Sequence, residues 1–380
     1  MKTGAALLLL LASAAAPRAT DYFPAPEARG GWRRLVDANA PPDAARRARL
    51  RQVAGIDWDR LRDAWEYNTG AAGSTGLLVV RRGWVVGEWY RSSGPETTFN
   101  LYSSSKPYVS VAFGLLLAES AAGKLAGPRL GLDTRMYARE WLPEGLPPSD
   151  PRKSAITLRQ LLTMTSGIPS HNDTGEPPAG AGPYEFALGK DARWPTARLA
   201  SDPGTTWSYS NPGVSHLVLI HRRASGQDLR EYLRTRLFLP IGMSHFDWLE
   251  LGGSGHLGPH RQGYSGLLTT ARDHARFLYL ALQRGRWSTG QVVPADYYGW
   301  ALAPTPVKAD YGALWWRNRV PGTPADTFQT GGARNNHGWV MPGPELIVVR
   351  LGDGEKYPEN FSEELLRRVQ AALVGGPSTH

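Results

Sequence analysis

Apolar residues follow a strand-like pattern near both ends of the chain and a helical pattern between them. Residues 76–81 and 84–90 are β-prone runs on either side of Arg82-Gly83, which predicts a β-hairpin with a glycine in its turn. Strand character returns at 327–331, 338–341 and 345–351. Helices are predicted for the segment that follows Ser103 and for residues 157–164, 216–224, 229–237, 273–283 and 363–374.

This order of elements predicts how the chain is organised. Strands from the two ends would meet in a mostly antiparallel sheet flanked by helices, and the helices between them would form a second unit, an α+β arrangement. We expect a sheet domain from residues 45–100 and 290–380, a mainly helical domain from 101–289, and the functional cleft between the two. Residues 20–44, rich in Pro, Gly and Ala, indicate an arm laid over the domain.

The helix after Ser103 is apolar on more than one side. One core-facing stripe has the i, i+3, i+4 spacing and consists of Val109, Ala112, Phe113, Leu116 and Leu117. The opposite side carries Val111, Leu115 and Ala118, so the helix is predicted to be central in the fold. Lys106, close to its start, is therefore expected to be semi-buried.

Ser103 and Lys106 are three residues apart, which places both side chains on one face of a helix. At a helix N-terminus, unpaired N–H groups and the positive end of the dipole favour negative charge developing on Ser103. A dry Lys106 could lose its own proton and accept that of Ser103. This S-x-x-K arrangement is found in acyl-transferring serine enzymes. The spacing alone is also common in ordinary serine-rich helix starts, and Pro107 fits here only because it lies in the first turn.

A second group of chemically capable residues is Tyr209-Ser210-Asn211, which has Pro-Gly pairs on both sides. The flanking pairs predict a tight loop, where functional side chains are often held. A tyrosine beside an ammonium group could take the proton of Ser103 and pass it to a leaving group. Asn211 could hydrogen-bond Lys106 and fix its direction. Alone, Tyr-Ser-Asn in a turn is ordinary loop chemistry, and it gains meaning downstream of S-x-x-K.

The composition narrows the cellular setting and the chemistry. Lys2, an apolar run at 4–16 and Ala12-Ser13-Ala14 predict a signal peptide over residues 1–19 and an exported protein, periplasmic or secreted. An uncleaved anchor is the alternative, but no later stretch is long enough for a transmembrane segment. The chain has no cysteine, which excludes disulfides, a thiol nucleophile and cysteine metal ligands.

The net charge of +9 comes from arginines scattered along the chain. No basic block is interleaved with stacking aromatic residues, so nucleic-acid binding is not expected. A mild attraction to an acidic wall or membrane surface is one interpretation of the charge, and a solvated basic surface is the other. The pattern does not determine the oligomeric state.

Taken together, the motifs resemble those of the serine β-lactamase and penicillin-binding-protein-like hydrolases. The nearest branch is that related to class C β-lactamases, which includes esterases and 6-aminohexanoate-dimer hydrolases. Besides S-x-x-K and Tyr-x-Asn, the chain has the family's helix and Thr-Ser-Gly turn at 156–168, Pro-Ile-Gly-Met at 240–243 and Gly-Leu-Leu-Thr-Thr-Ala-Arg-Asp at 266–273. The resemblance covers most of the mature chain and implies a sheet domain and a helical domain with the serine between them.

The resemblance also implies a role for each motif residue. Ser103 would be the nucleophile, Lys106 its activating partner, Tyr209 the general base and then acid, and Asn211 a support for Lys106. The family's third motif would fall at Gln329-Thr330-Gly331, followed by Gly332, and the resemblance implies that the three motif residues bind the substrate. The backbone N–H groups of Ser103 and Gly332 would then form the oxyanion hole.

The third motif carries the main departure from the family pattern. Gln329 stands where Lys or His is usual, which removes a cation that helps to position the carboxylate of a β-lactam. An efficient β-lactamase or transpeptidase is therefore not expected. Arg334 could supply a replacement charge, or it could simply face water. Asn335, Asn336 and His337 are expected at most to line the cleft, and Trp315 and Trp316 either wall the pocket or pack against the sheet.

Other hydrolase classes have less support. No G-x-S-x-G nucleophile elbow occurs, and no His-Glu-x-x-His indicates a zinc site, while Gly258-Pro259 separates His256 from His260. The polar run at 171–176 is more typical of a capped turn than of a cation site.

The sequence therefore predicts an exported serine hydrolase that cleaves small carboxylic esters or amides through an acyl-enzyme on Ser103, with no metal or organic cofactor. Weak β-lactamase or D-amino-acid peptidase activity is the runner-up. A non-catalytic sensor or binding protein of the same fold is the remaining alternative.

Overall fold

A six-stranded antiparallel sheet joins the two ends of the chain. The computed structural model describes residues 21–70, 73–252 and 255–374, so the predicted signal peptide lies outside the described residues. The strands of this sheet are β1 (Thr75–Arg81), β2 (Trp84–Arg91), β10 (Trp316–Arg317), β11 (Phe328–Gly332), β12 (Asn336–Met341) and β13 (Leu346–Gly352). Their order is β10-β11-β12-β13-β1-β2. The pairing of β1 with β13, with Leu78 opposite Val349, confirms the predicted α+β sheet built from both ends.

Short strands complete smaller sheets. Phe99–Asn100 (β3), Leu267–Thr269 (β7) and Phe246–Trp248 (β4) form a three-stranded sheet in the order β3-β7-β4. Two strand pairs follow the same antiparallel pattern, Glu250–Leu251 (β5) with His260–Arg261 (β6) and Arg286–Trp287 (β8) with Gly290–Gln291 (β9). Strand β3 of this sheet lies just before the Ser103 segment. The three-stranded sheet was not predicted, because two- and three-residue strands are too short to show a period.

Most helices cluster in the middle of the chain, as predicted. The α-helices are α1 (Ala44–Arg49), α2 (Trp58–Thr69), α3 (Lys106–Ala121), α4 (Leu158–Leu162), α5 (His171–Thr174), α6 (Pro183–Leu188), α7 (Asn211–Ser225), α8 (Leu229–Leu233), α9 (Ala271–Leu282), α10 (Ala295–Ala301) and α11 (Phe361–Ala371). Wider π-type turns extend α1 over Leu50–Ala54 and α8 over Arg234–Phe238. Single 3₁₀ turns lie at Glu27–Arg29, Tyr102–Ser105, Pro143–Gly145, Pro151–Ala155, Pro195–Ala197 and Ala333–Asn335.

Helices cover both faces of the sheet, which is why every residue of β1 and β13 is buried. On one face, α9 packs on the sheet, and a methyl group added at Gly338 of β12 would meet Leu278 and His274. On the other face, Arg350 of β13 reaches Asn68 of α2 and the ring of Phe361 in α11. Burial of apolar surface between these layers is the main driving force for the fold.

The arm before α1 is tied to α9 by charged groups. Glu27 accepts hydrogen bonds from Arg276 at 2.8 Å and from Arg34 at 3.0 Å. Arg276 is fully buried and also donates to the carbonyl groups of Pro24 and Ala25. Both terminal nitrogens of this buried guanidinium find acceptors in the arm, so the arm and α9 depend on each other.

Candidate active site

Three consecutive serines fix the turn that leads into α3, each by a different contact. Lys106 donates a hydrogen bond from Nζ to Ser103 Oγ at 2.9 Å. Ser104 Oγ donates to the carbonyl of Asn336 in β12 at 2.6 Å, and Ser105 Oγ accepts from the N–H of Leu267 in β7 at 3.1 Å. Ser104 and Ser105 therefore anchor the turn to two sheets, while Ser103 is left to face Lys106.

The backbone at this turn is in an uncommon conformation. Tyr102 has φ +48°, in the left-handed region that side chains other than glycine rarely adopt. Its N–H is held by Asn100 Oδ1 at 2.8 Å. Ser103 lies in the 3₁₀ turn Tyr102–Ser105, one turn before the start of α3 at Lys106. The predicted placement of Ser103 at a helix start is thus correct, with a tighter first turn than expected.

Lys106 is buried more completely than predicted, with 1% of its surface exposed. Its second hydrogen bond goes to the main-chain carbonyl of Tyr264 at 2.9 Å. Burial lowers the pKa of Lys106, and interaction with Tyr209 opposes that change. No carboxylate among the described residues forms an ion pair with this amine. The site therefore favours the neutral amine, which is the form that can accept a proton from Ser103.

Tyr209 closes the other side of Lys106. The Lys106 nitrogen Nζ lies 4.7 Å from the centre of the Tyr209 ring. Trp316 stacks on that ring with the centroids 5.7 Å apart, and the Tyr209 carbonyl lies 3.3 Å from His171 Nδ1. Ser210 caps α7 by accepting from the N–H of Gly213 and donating to the carbonyl of Pro169. These contacts hold Tyr209 against Lys106.

Asn211 differs from its prediction in two respects. It is the first residue of α7 and not part of a loop, because Ser210 is the N-cap and Pro212 fits the first helical turn. Its buried Oδ1 has no hydrogen-bond partner, so the predicted bond to Lys106 is absent and the carbonyl of Tyr264 takes that place. The Asn211 side chain instead lines a cavity beside Tyr264.

The strand β11 brings the predicted third motif next to the serine turn. At Gly332 an added Cβ would lie 2.2 Å from the carbonyl oxygen of Leu101 and 3.1 Å from the backbone nitrogen of Ser104. Only glycine permits such a close approach between the two segments. The backbone of Gly332 therefore lies against the residue that follows Ser103, next to the position predicted for the oxyanion hole.

The two residues before Gly331 are both buried. Gln329 is 2% exposed, and its Oε1 has no hydrogen-bond partner among the described residues. Thr330 is fully buried, and its hydroxyl lies 3.0 Å from His274 Nε2. The same hydroxyl accepts a hydrogen bond from the backbone N–H of Gly338 at 3.0 Å. His274 in turn contacts the Tyr108 hydroxyl at 2.9 Å. The Thr330 hydroxyl therefore forms a structural link between β11, β12 and α9.

Trp315 and Trp316 have different roles, because neighbouring side chains of an extended segment point to opposite sides. Trp315 is fully buried and packs on Phe277 and Phe328. Trp316 pairs in register with Gln329 and faces Tyr209. One tryptophan packs in the core and the other walls the cleft, so each of the two predicted roles applies to one residue.

The polar run after Gly332 is largely committed to structure. Arg334 forms an ion pair with Glu355 at 2.7 Å and donates to the carbonyl of Asp353, so its charge already has a partner. Asn336 is fully buried, with its amide group bonded to both polar backbone atoms of Gly352. Asn335 Oδ1 accepts from Ser362. His337 lies beside Gly331 and stacks on Trp339, and burial lowers its pKa to about 4.

Four further residues of the cleft were not found from the sequence. Tyr264 supplies the carbonyl that binds Lys106, and Trp207 and Tyr311 complete an aromatic cluster with Tyr209 and Trp316. Arg319 lies over the Trp316 ring at 3.9 Å. No local motif marks these residues, since their positions depend on contacts between distant parts of the chain.

Comparison with known proteins identifies the family of the chain. A family model described as Beta-lactamase matches residues 59–373. The chain belongs to the β-lactamase family. Penicillin-binding protein 4* from Bacillus subtilis (strain 168) is 31% identical over 153 residues, which cover 39% of this chain and 30% of that relative. A second relative from the same organism is matched over 46% of its own length, so the chain spans less than half of either protein.

Solved structures of this β-lactamase-family fold are similar over most of the chain. A protein provisionally assigned as a β-lactamase, from Bacteroides dorei DSM 17855, has a TM-score of 0.65 at 19% identity, covering 83% of this chain and 97% of its own. EstCE1, described as a hydrolase with promiscuous acyltransferase activity, has a TM-score of 0.60 at 17% identity, covering 83% and 98%. These similarities confirm the predicted fold, which is that of β-lactamase-related serine hydrolases.

Within residues 21–70, 73–252 and 255–374, no group of three or more His, Asp or Glu side chains is arranged to hold a metal ion. The polar run at 171–176 contains the short helix α5, capped by Ser170, as a capped turn requires. None of the described helices combines the length and the hydropathy that a membrane span needs.

Proposed function

We propose that this protein is an exported serine hydrolase that cleaves small carboxylic esters or amides through an acyl-enzyme on Ser103. The observation that carries the proposal is the 2.9 Å hydrogen bond between Lys106 Nζ and Ser103 Oγ, made by an amine that is 1% exposed. A nucleophile with a desolvated base in hydrogen-bond reach is the arrangement that covalent catalysis requires.

Acylation would begin with proton transfer from Ser103 Oγ to neutral Lys106, directly or through Tyr209, as Oγ bonds to the substrate carbonyl carbon. The negative charge moves to the carbonyl oxygen, where the backbone N–H groups of Ser103 and Gly332 would stabilise it. Tyr209 then donates a proton to the leaving alkoxide or amine as its bond to the acyl carbon breaks. The products are the free alcohol or amine and an ester of Ser103.

Deacylation would repeat these steps with water as the nucleophile. The base formed at Tyr209 and Lys106 takes a proton from water, hydroxide oxygen bonds to the acyl carbon, and the bond to Ser103 Oγ breaks. Ser103 recovers its proton and the carboxylic acid leaves. Because both halves use the same groups, loss of either Lys106 or Tyr209 would slow both.

A cavity beside the catalytic residues supports a small apolar substrate group. Its volume is about 50 Å³, and it is lined by Asn211, Tyr264, the polar residues His171 and Glu176, and apolar residues, among them Phe186 and Leu251. Such a pocket suits a short acyl chain, since apolar walls reward burial of methylene groups.

The direct test compares the mature chain with Ser103→Ala and with Ser104→Ala on short 4-nitrophenyl esters. We expect Ser103→Ala to abolish turnover and Ser104→Ala, which keeps the nucleophile, to retain a measurable part of it. Ester hydrolysis that survives Ser103→Ala would refute the assignment. Rapid hydrolysis of penicillins or D-amino-acid peptides, with slow ester turnover, would instead favour the penicillin-recognising activities.

A further inference from the structure

The turn between β11 and β12 holds two consecutive residues in an uncommon backbone conformation. Arg334 has φ +58° and Asn335 has φ +53°, both in the left-handed region, and neither is glycine. Residues in this region persist only where the surrounding structure holds them there. The turn directly follows Gly332, and Asn336 at its other end accepts the hydrogen bond from Ser104 at 2.6 Å. Both ends of this turn therefore contact the segment that carries the nucleophile.

One buried cation holds both left-handed residues by their backbone. Arg350 of β13 is fully buried, and its Nη1 donates to the carbonyl of Arg334 at 2.6 Å and to that of Asn335 at 3.4 Å. The hydroxyl of Tyr357 donates to the same Arg334 carbonyl at 2.9 Å. On the other side, Arg350 Nε donates to Asn68 of α2 at 3.1 Å. Arg350 thus ties the turn to a helix that packs on the sheet.

The charge of Arg350 is buried without an acidic partner. No carboxylate in the described part of the chain forms an ion pair with it, and its Nη2 lacks a hydrogen-bond partner there. Burial lowers the pKa of Arg350, and the rings of Tyr357 and Phe361 cover the guanidinium at 5.0 and 5.6 Å. Burying an unpaired cation costs more than burying an apolar side chain of similar volume. What the guanidinium adds at this position is the hydrogen bonding of the turn.

We propose that Arg350 is a positioning residue for the oxyanion hole. By holding the carbonyls of Arg334 and Asn335, it fixes the turn that follows Gly332 and keeps the backbone N–H of Gly332 beside Ser103. Because Arg350 is fully buried, it acts through the turn and not on the substrate. This inference rests on the proposed hydrolase function, and it adds to the site a residue that lies outside the sequence motifs.

The test measures hydrolysis of a short 4-nitrophenyl ester by Arg350→Met in the full mature chain. A displaced oxyanion donor weakens transition-state binding, and both half-reactions use the hole. We therefore expect kcat to fall by about 10- to 100-fold while KM stays within about threefold. An alkyl trifluoromethyl ketone gives a second readout. Ser103 Oγ adds to its carbonyl carbon, the Ser103 proton passes to the base, and the carbonyl oxygen becomes an oxyanion. The affinity for this ketone should fall by about the same factor as kcat.

Arg81→Met is the matched control for the loss of a buried arginine. Arg81 of β1 is 4% exposed and donates to the carbonyl of Gly55. It lies opposite Leu346, at the end of the sheet away from Gly332. This variant should lower the Tm, as Arg350→Met should, while its kcat, KM and ketone affinity stay within about threefold of the wild type. Arg350→Lys keeps a charged donor for the backbone carbonyls and should restore part of the kcat that Arg350→Met loses.

Tyr357→Phe tests the same turn without removing a charge, and it serves as the test if Arg350→Met does not fold. The substitution deletes only the hydroxyl bonded to the Arg334 carbonyl. It should lower kcat by about three- to tenfold with KM unchanged. A normal kcat in this variant would overturn the inference.

Two results with folded Arg350→Met would also overturn it. A kcat within threefold of the wild type, or a loss no larger than that of Arg81→Met, would show that Arg350 only stabilises the fold. A higher KM with unchanged kcat would show that the turn affects substrate binding and not the oxyanion. Failure of the proposed function is distinguishable, since it would appear as ester turnover that does not depend on Ser103.

Discussion

Replacing Gly332 by alanine adds a single methyl group next to the predicted oxyanion hole and so tests it. Gly332 has φ −133°, which every residue can adopt, so the substitution adds no backbone strain. The new Cβ would lie 2.2 Å from the Leu101 carbonyl oxygen, about 1 Å closer than van der Waals contact permits. Because the Leu101 oxygen belongs to the backbone and cannot rotate away as a side chain could, β11 must move away from the Ser103 turn.

A shift of about 1 Å at an oxyanion donor is costly. Loss of one such donor lowers kcat by roughly 100- to 1,000-fold, and misplacement by 1 Å can cost about 100-fold. We therefore expect Gly332→Ala to lower kcat for ester hydrolysis by about 100-fold, measured by steady-state and single-turnover kinetics. Thermal melting of the same samples shows whether the folded protein persists.

The neighbouring glycine supplies the control. At Gly331 the nearest atoms to an added Cβ are side-chain atoms of Trp316 at 3.2 Å and His337 at 3.4 Å, contacts that a small adjustment relieves. Gly331→Ala should therefore lose less than about tenfold. If the kcat of Gly332→Ala stays within threefold of the wild-type value, Gly332 does not contribute to the oxyanion hole and the placement of the third motif is wrong.

Three further predictions concern the base and the sheet. Lys106→Ala and Tyr209→Phe should each lower kcat by about 100-fold or more, as removal of a general base does, and near-normal rates in both would refute the mechanism. Burial lowers the pKa of Lys106 in the folded protein below its ordinary value of 10.5, so burying the protonated amine destabilises the fold. This destabilisation is complete below the folded-state pKa and disappears as the pH rises to 10.5. The Tm of Lys106→Met minus that of the wild type should therefore fall as pH rises from 6 to 10, and a constant difference would show that Lys106 is not desolvated. Thr330→Val removes a hydroxyl with two buried partners and should lower the free energy of unfolding by about 1–3 kcal/mol in urea titrations, whereas Thr327→Val, whose buried hydroxyl has no partner, should change it far less. Equal losses in these two variants would contradict the structural role of Thr330.

Local patterns predicted the parts of the site that depend on nearby residues. Ser103 and Lys106 meet because three residues form one turn, and this relation needs no knowledge of the tertiary fold. The hairpin of β1 and β2 was predicted within one residue at each end, because both strands are β-prone, mostly apolar runs separated by a glycine turn. The sheet assembled from both ends of the chain was predicted because strand patterns occur near both termini.

Contacts between distant residues account for what the sequence did not reveal. The acceptor of Lys106 is a main-chain carbonyl 158 residues away, and no side-chain pattern marks a carbonyl. Thr330 is buried because its hydroxyl bridges β12 and α9, and that depends on strand register and on the packing of His274. Arg319 is exposed and outside every motif, so its place over Trp316 follows only from the folded chain.

The sequence around Asn211 contained a helix-start pattern, but the neighbouring Pro-Gly pairs led to the prediction of a loop. The Pro-Gly pairs around it favoured a loop, yet Ser210 followed by Pro212 is also the pattern of a helix N-cap with proline in the first turn. A helix forms here because the Ser210 hydroxyl accepts a hydrogen bond from the N–H of Gly213 and fixes the helix start. Asn211 then lines the cavity beside Tyr264, and its Oδ1 has no hydrogen-bond partner.

The most direct test of the central claim is intact-protein mass spectrometry of the mature chain. The protein would be incubated separately with a fluorophosphonate, a short 4-nitrophenyl ester and a penicillin, and any adduct mapped by peptide digestion. We predict one fluorophosphonate adduct on Ser103, turnover of the ester, and slow or absent acylation by penicillin. An adduct on another residue, or none from any probe, would contradict an acyl-enzyme on Ser103.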